Sequence, residues 1–324
     1  MIFTKKVVAR IVMVLVVVAF LSFFSIFVFF GGDISVGQME GRRIFGATYM
    51  TMSNPYYQAV DSRLREYIEQ KGDILLSRDA AMSQERQNEE IQDLIDEGAR
   101  VIFITPVQWN RVTKGLEAAR AAGVDIIVVD TPVVNDKMVS CSVCSDNYDA
   151  GVQCARHLLS VRHRANILLL EHTTARSGAQ RIQGFKDTIE GHGGFTIVGT
   201  GESDGLIENA MPVMERLLKE SPDADVVMAL NDPSAFGAMA AIEGTGGRDS
   251  FLVYSVDGSP EAKGLIKDGV MTASCAQFPN RIAKTAARQA YRLIAGKECK
   301  KQIIVPVELI TKDNVGKYDK GGWQ

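Results

Sequence analysis

Little in this sequence suits a nucleic-acid partner, a metal or a disulfide framework. Its 36 basic and 39 acidic side chains nearly cancel, leaving a formal charge of −3. That balance offers no electrostatic footprint for DNA or RNA. The four histidines, His157, His163, His172 and His192, show no H-E-x-x-H or other ligand spacing. No metal is expected, and the histidines read as surface or satisfied core residues. Five cysteines form an odd, scattered set, and none precedes Cys141, which argues against a lipid-modified cysteine near the N-terminus. Cys141 and Cys144 make a C-x-x-C, but three residues apart on an extended strand they face opposite ways, which suits neither redox work nor shared metal binding. The most local absence is of charge: none occurs from Ile11 to Phe30.

That run, IVMVLVVVAFLSFFSIFVFF, would span about 30 Å as a helix, the hydrocarbon thickness of a bilayer. It is apolar all round, unlike a helix of a soluble core, which keeps a polar stripe. Lys5, Lys6 and Arg10 precede it without an acidic neighbour, so the positive-inside rule keeps the N-terminus cytoplasmic and exports the rest. Its length and the lack of an A-x-A site favour a retained anchor over a cleaved signal peptide, for which Ser35 and Gly37 are weak sites. Residues 31–43 read as a flexible tether. The remainder, 46% hydrophobic and 23% charged over the whole chain, is of ordinary globular composition and long enough for two domains.

From Arg42 onward, short apolar runs alternate with longer amphipathic stretches. The pattern predicts strands at Ile44–Tyr49, Asp73–Ser77, Val101–Thr105 and Ile126–Asp130, with helices at Tyr56–Lys71, Gln84–Gly98 and Trp109–Ala122 between them. Gly72, Gly98 and Gly123 stop the three helices. A second set follows, with strands at Ala165–Leu170, Phe195–Val198, Val226–Leu230, Phe251–Ser255 and Met271–Cys275. Helices are expected near Ala179–His192, Ile207–Ser221, Pro233–Gly244 and Pro260–Asp268. Such alternation specifies an α/β fold with two Rossmann-like, doubly wound parallel sheets, here joined near Val139–Asn147. Ligands of open parallel sheets sit beyond the carboxyl ends of the strands, so two facing halves would bind a small molecule in the cleft between them.

Polar and aromatic clusters stand at those carboxyl ends: Asn54-Pro55-Tyr56-Tyr57, Gln108-Trp109, Asp130-Thr131, Asp146-Asn147, Asn231-Asp232, Asp257-Gly258 and Gln277, with Arg181 early in a helix. Sugars need this mixture. Amides, carboxylates and guanidinium pair with adjacent hydroxyls, and aromatic faces cover the C–H surface of a ring. Singly, each has a plainer reading: Asp146-Asn147 and Asn231-Asp232-Pro233 as helix caps, Asp257-Gly258 as a turn, Asn54-Pro55 as a helix start. As an ordered set they favour a site.

The ordered strings SNPYY, VVD, CSDNYDAG, QRIQGF, ALNDPSAFGA, VDGSPEA and AQFPN resemble the ribose-binding type of periplasmic binding protein, the sugar receptors of bacterial ABC importers, over about residues 44–307. The resemblance implies two lobes joined by a hinge, residues 42–143 with 278–306 and residues 144–277 with 307–324, after an N-terminal segment of residues 1–41. It implies ligand contacts by Asn54, Tyr56, Tyr57, Asp130, Arg181, Asn231, Asp257 and Gln277, with Trp109 and Thr131 as further candidates. Ribose-type receptors carry an arginine where Thr131 stands, and its loss argues against ribose itself. Tyr56 and Tyr57, where phenylalanines are common, favour a different or larger polyol.

Enzymatic readings fail on the residues. Gly201-Glu202-Ser203-Asp204-Gly205 matches G-x-S-x-G, yet every histidine precedes Ser203, and a hydrolase of that type needs one downstream. Gly199, Gly201 and Gly205 miss the dinucleotide-binding spacing by one. The expectation is a non-enzymatic, monomeric solute receptor without cofactor, its body outside the cytoplasm, with an ABC permease as partner. A sugar sensor signalling to a histidine kinase or chemoreceptor is the alternative, and a repressor is excluded because the apolar run occupies the place of its DNA-binding helices.

Overall fold

The computed structural model describes residues 41–246, 251–319 and 321–324. The expected membrane segment, Ile11–Phe30, lies outside the described residues. Among the described residues no helix is long and apolar enough to cross a membrane. Ile44–Gln324 forms one compact unit, which contains two six-stranded sheets.

The first sheet has the order β2-β1-β3-β4-β5-β11 and is parallel throughout. Its strands are β1 (Ile44–Tyr49), β2 (Ile74–Asp79), β3 (Ala99–Ile104), β4 (Asp125–Val129), β5 (Cys141–Ser145) and β11 (Gln302–Val305). Helices α1 (Pro55–Glu69) and α9 (Pro279–Ile294) cover one face, and α2 (Gln84–Asp96) and α3 (Thr113–Ala121) the other. Each face has its own apolar core: Phe45, Val60, Leu64, Phe103 and Ile282 on one side, Ile91, Leu94, Ile102 and Leu116 on the other. Burial on both faces explains why these strands read as continuous apolar runs.

The second sheet runs β7-β6-β8-β9-β10-β12. It comprises β6 (Ala165–Glu171), β7 (Phe195–Glu202), β8 (Val226–Ala229), β9 (Leu252–Asp257), β10 (Ala273–Ala276) and β12 (Glu308–Thr311). Here β12 pairs antiparallel with β10, so this sheet is parallel except at one edge. Its helices are α4 (Asn147–Val161), α5 (Arg176–Ile189), α6 (Ile207–Glu220), α7 (Asp232–Gly244) and α8 (Pro260–Lys267).

The chain passes between the sheets three times: after β5, after β10 into α9, and between β11 and β12. The sequence pattern placed nine strands within a few residues of their positions. It gave no range for β5, although it put Cys141 and Cys144 on an extended strand, nor for α4, of which it read only the cap Asp146-Asn147; it did not mark β11, β12 or α9, and it began α3 four residues early, because Pro106–Val112 is a loop. β11 and β12 are only four residues each and lie at sheet edges, too short and too exposed to show a period.

Helices α4 and α5 touch through glycine. A Cβ on Gly151 would lie 1.9 Å from the Arg181 carbonyl oxygen, and one on Gly184 would lie 2.1 Å from that of Tyr148. Only glycine permits so close an approach of two helix backbones, and the approach fixes the helix that carries Arg181.

Candidate functional site

A cavity of about 400 Å³, counting space that opens to solvent, lies between the carboxyl ends of the two sheets. All eight residues named from the sequence line it: Asn54, Tyr56, Tyr57, Asp130, Arg181, Asn231, Asp257 and Gln277. Each is placed by a strand end or a helix start. Asn54 follows β1 and caps α1, its Oδ1 accepting from the Tyr56 amide at 2.9 Å, which sets both tyrosines in the first turn. Asn231 follows β8 and caps α7 through the Ser234 amide at 3.1 Å. Asp130 follows β4 and Asp257 ends β9, with φ of +69° and +137°. Backbone strain of this kind costs on the order of 1–3 kcal/mol and clusters where side chains must be aimed for function.

Arg181 crosses the middle. Its Nη2 lies 3.8 Å from Asp130 Oδ1 and its Nη1 3.6 Å from Asp257 Oδ1, so one cation serves two carboxylates. Nε donates to Asn147 Oδ1 at 2.9 Å and Nη1 to the Leu230 carbonyl at 3.0 Å, which holds the guanidinium in place. The Tyr57 hydroxyl donates to Asp130 Oδ2 at 3.3 Å, and Gln277 Nε2 to Asp257 Oδ1 at 2.7 Å.

What these groups leave unsatisfied defines their chemistry. Asp130 Oδ1, Asp257 Oδ2, Gln277 Oε1, the Tyr56 hydroxyl and His172 Nε2 are buried without a hydrogen-bond partner in the protein. Gln277 Oε1 is a pure acceptor, as are the two carboxylate oxygens in their ionised form, and an unmade buried hydrogen bond costs about 1–3 kcal/mol. They call for a neutral ligand rich in O–H donors. Burial pushes the Asp130 carboxyl up, opposed by the Arg181 charge and by the hydrogen bond from the Tyr57 hydroxyl. Burial, then the neighbouring Asp232 carboxylate, pushes Asp257 well up. A further anion would worsen both.

Three neighbours escaped the sequence reading. His172, after β6, was expected to be satisfied or exposed. Instead it is buried, lines the cavity with Nε2 unpaired, and has its pKa lowered by burial against the pull of Asp204. Asp204 lines the cavity too, and Asn147 was read as capping chemistry although it orients Arg181. The G-x-S-x-G string holds no nucleophile: the Ser203 hydroxyl is fully buried, donating to the Glu171 carbonyl at 3.2 Å and lying 2.9 Å from that of Ser234.

Trp109 and Thr131 are not among the lining residues. Both bridge the two halves beside the cavity. The Thr131 hydroxyl donates to Ser177 Oγ at 2.6 Å and accepts from the Ser177 amide at 2.9 Å. The Trp109 amide donates to the Thr174 carbonyl at 3.3 Å, and the Arg176 guanidinium sits 5.0 Å from the Trp109 ring centre.

Known proteins of this shape exist. The periplasmic binding protein domain model matches residues 45–298. The ribose import binding protein RbsB of Bacillus subtilis is 29% identical over 269 residues, 82% of this chain and 87% of that protein. Its Escherichia coli counterpart is 25% identical over 81% of this chain and 88% of its own. Among solved structures, an ABC transporter solute binding protein from Mycobacterium smegmatis with bound glycerol superposes with a TM-score of 0.81 at 28% identity, covering 86% of this chain and 96% of that one. The Caulobacter myo-inositol binding protein bound to myo-inositol gives 0.81 at 25% identity with the same coverage.

Proposed function

Because the chain belongs to the periplasmic binding protein family, we propose that it is the extracytoplasmic receptor of an ABC sugar importer, taking up a monosaccharide or related polyol between its two lobes. The observation that carries the reading is the ring of buried acceptors around Arg181 that have no hydrogen bond within the protein, drawn from both sheets and shaped for a neutral, hydroxyl-rich molecule. The likeness to a ribose import binding protein, to a solute binding protein with bound glycerol and to a myo-inositol binding protein supports it.

In this reading the eight lining residues contact the ligand. Hydroxyls donate to Asp130, Asp257 and Gln277, Arg181 and Asn231 donate to ring or hydroxyl oxygens, and the tyrosines cover the apolar face. The lobes are residues 42–143 with 278–306 and residues 144–277 with 307–324; the sheet order supports this division, with β5 carrying the first lobe on to Ser145. They hinge about the three crossings, and the sugar shifts the population toward the closed form by contacting both lobes at once. A monomer delivers the sugar to a permease, and the closed form is what the permease reads. The apolar run Ile11–Phe30 tethers the body to the outer face of the cytoplasmic membrane. Membrane fractionation with N-terminal sequencing of the mature protein tests that anchor.

The test of the function is a thermal-shift screen of pentoses, hexoses and inositols. A ligand present at 100 times its Kd adds about 2.7 kcal/mol of stability and raises the melting temperature by several degrees. No response to any sugar or cyclitol at millimolar concentration overturns the reading.

A further inference from the structure

A second chamber opens beside the inner cavity. It encloses about 790 Å³, counting space that opens to solvent, and shares Asn54, Gly205, Leu206 and Asp257 with the inner walls. Its own walls are apolar where the inner cavity is polar: Trp323, Phe236, Ile207 and Pro233. Ile207 is a large side chain left 48% exposed.

The tryptophan wall is built rather than loose. The Trp323 ring stands edge-on to that of the lining residue Tyr56, with centres 5.7 Å apart and planes at 74°. Its carbonyl accepts from Asn280 Nδ2 at 3.1 Å. The next residue, Gln324, donates through Nε2 to the Gln277 carbonyl at 2.7 Å and to the Gly258 carbonyl at 3.2 Å. Lys263 Nζ clamps the same strand of chain, donating to the Gly322 carbonyl at 2.7 Å and to Gln324 Oε1 at 3.1 Å. A preorganised aromatic wall that opens onto a polar ring site is what an amphipathic ligand needs. Glu208 and Glu261 also line the chamber and carry the charge sign of the inner carboxylates, so an anionic extension is disfavoured.

We propose that the cleft takes a neutral glycoside, its sugar ring in the inner cavity and its apolar aglycone in the outer chamber against Trp323, Phe236 and Ile207. This rests on the sugar-binding reading and narrows its ligand class. A bare monosaccharide leaves the outer apolar side chains facing solvent, whereas an aglycone buries them, and buried apolar area is the main source of affinity there.

The experiment is isothermal titration of the full chain in a non-glycosidic detergent. The probes are free pentoses and hexoses and, for each, both anomers of its methyl and phenyl glycosides. At least one phenyl glycoside binds tenfold or more tighter than its parent sugar. Phe236→Ala and Ile207→Ser each lower that glycoside's affinity at least fivefold and leave the parent sugar within twofold; Ile207 is at the surface, so its variant folds even if the other does not. A parent sugar that binds while none of its glycosides binds more tightly overturns this inference and leaves the sugar reading standing. A tighter glycoside indifferent to both substitutions overturns it as well. Failure of every sugar and every glycoside overturns both.

Discussion

At the scale of the residue, Arg181 lies within 4 Å of two carboxylates in a buried site. Removing the guanidinium by Arg181→Ala strands Asp130, Asp257 and Asn147 in a buried site, and breaking a buried ion pair in this way costs about 3–5 kcal/mol. The expected outcome is loss of sugar binding together with a clear fall in the urea midpoint. Asp130→Asn removes a charged acceptor but keeps the shape, so sugar affinity drops at least tenfold while stability holds or rises; calorimetry beside chemical denaturation separates the two. The buried carboxylates also set a pH dependence. Asp257 is raised well above its ordinary 3.8, so the unfolded carboxyl ionises before the folded one. Its contribution to stability is full below about 3.8 and is lost as pH rises through the folded value. His172 acts in a separate window: its pKa is lowered from 6.5, so its contribution is present above that value and lost as pH falls below it. Melting temperatures measured from pH 4 to 8 should show Asp257→Asn gaining on the native protein as pH rises. Parallel curves for the two would remove Asp257 from this account. None of these roles was visible in composition, yet the residue types were. A carboxylate at a strand end is legible, but its sharing of one cation with a carboxylate 127 positions away is not.

At the scale of the element, the strings that marked the site also explain how it is held. Gly151 stands in the string around Asn147, and Gly184 in the one around Arg181. Their backbones meet where α4 crosses α5, with no room for a methyl group. Gly184→Ala forces the two helices apart and moves Arg181 with them. Overpacking of this order costs typically about 1–3 kcal/mol, and more here because the neighbour, the Tyr148 carbonyl, is backbone that cannot swing aside. The variant is expected to melt several degrees lower and to lose sugar affinity although residue 184 does not line the cavity. Unchanged affinity would show that α4 does not position Arg181. The elements themselves were largely readable, because α1, α2 and α6 carry helical periodicity and capping residues such as Asn54 and Ser83. Asp146-Asn147 marked the start of α4 without its extent, and α9 went unmarked although its apolar residues recur at helical spacing. β5 has no bounds readable in the pattern because CSVCS has no large apolar residue but valine.

At the scale of the whole molecule, the pairs Thr131–Ser177 and Trp109–Thr174 join the halves beside the cavity, with Ser177 alone of the four lining it. A hydrogen bond contributes about 0.5–1.5 kcal/mol net. Thr131→Val removes both bonds of its hydroxyl, about 1–3 kcal/mol together, and so weakens the closed form and lowers sugar affinity by roughly 5- to 160-fold, chiefly through faster dissociation in stopped-flow measurements. A slower association rate with unchanged dissociation would place Thr131 on the binding path rather than on the closed form. The sequence by itself determined the alternation of strands and helices and the polar character of the strand ends, because periodicity and turn chemistry act over a few neighbouring residues. Only the tertiary structure decided which polar groups share a cavity. The positive φ of Asp130 turns its carboxylate inward while the next residue, Thr131, reaches the opposite half. His172 and Trp323 arrive from segments whose local sequence gives no sign of the site. That choice belongs to chain crossings and lobe contacts spanning tens to hundreds of residues, a distance over which no local pattern carries information.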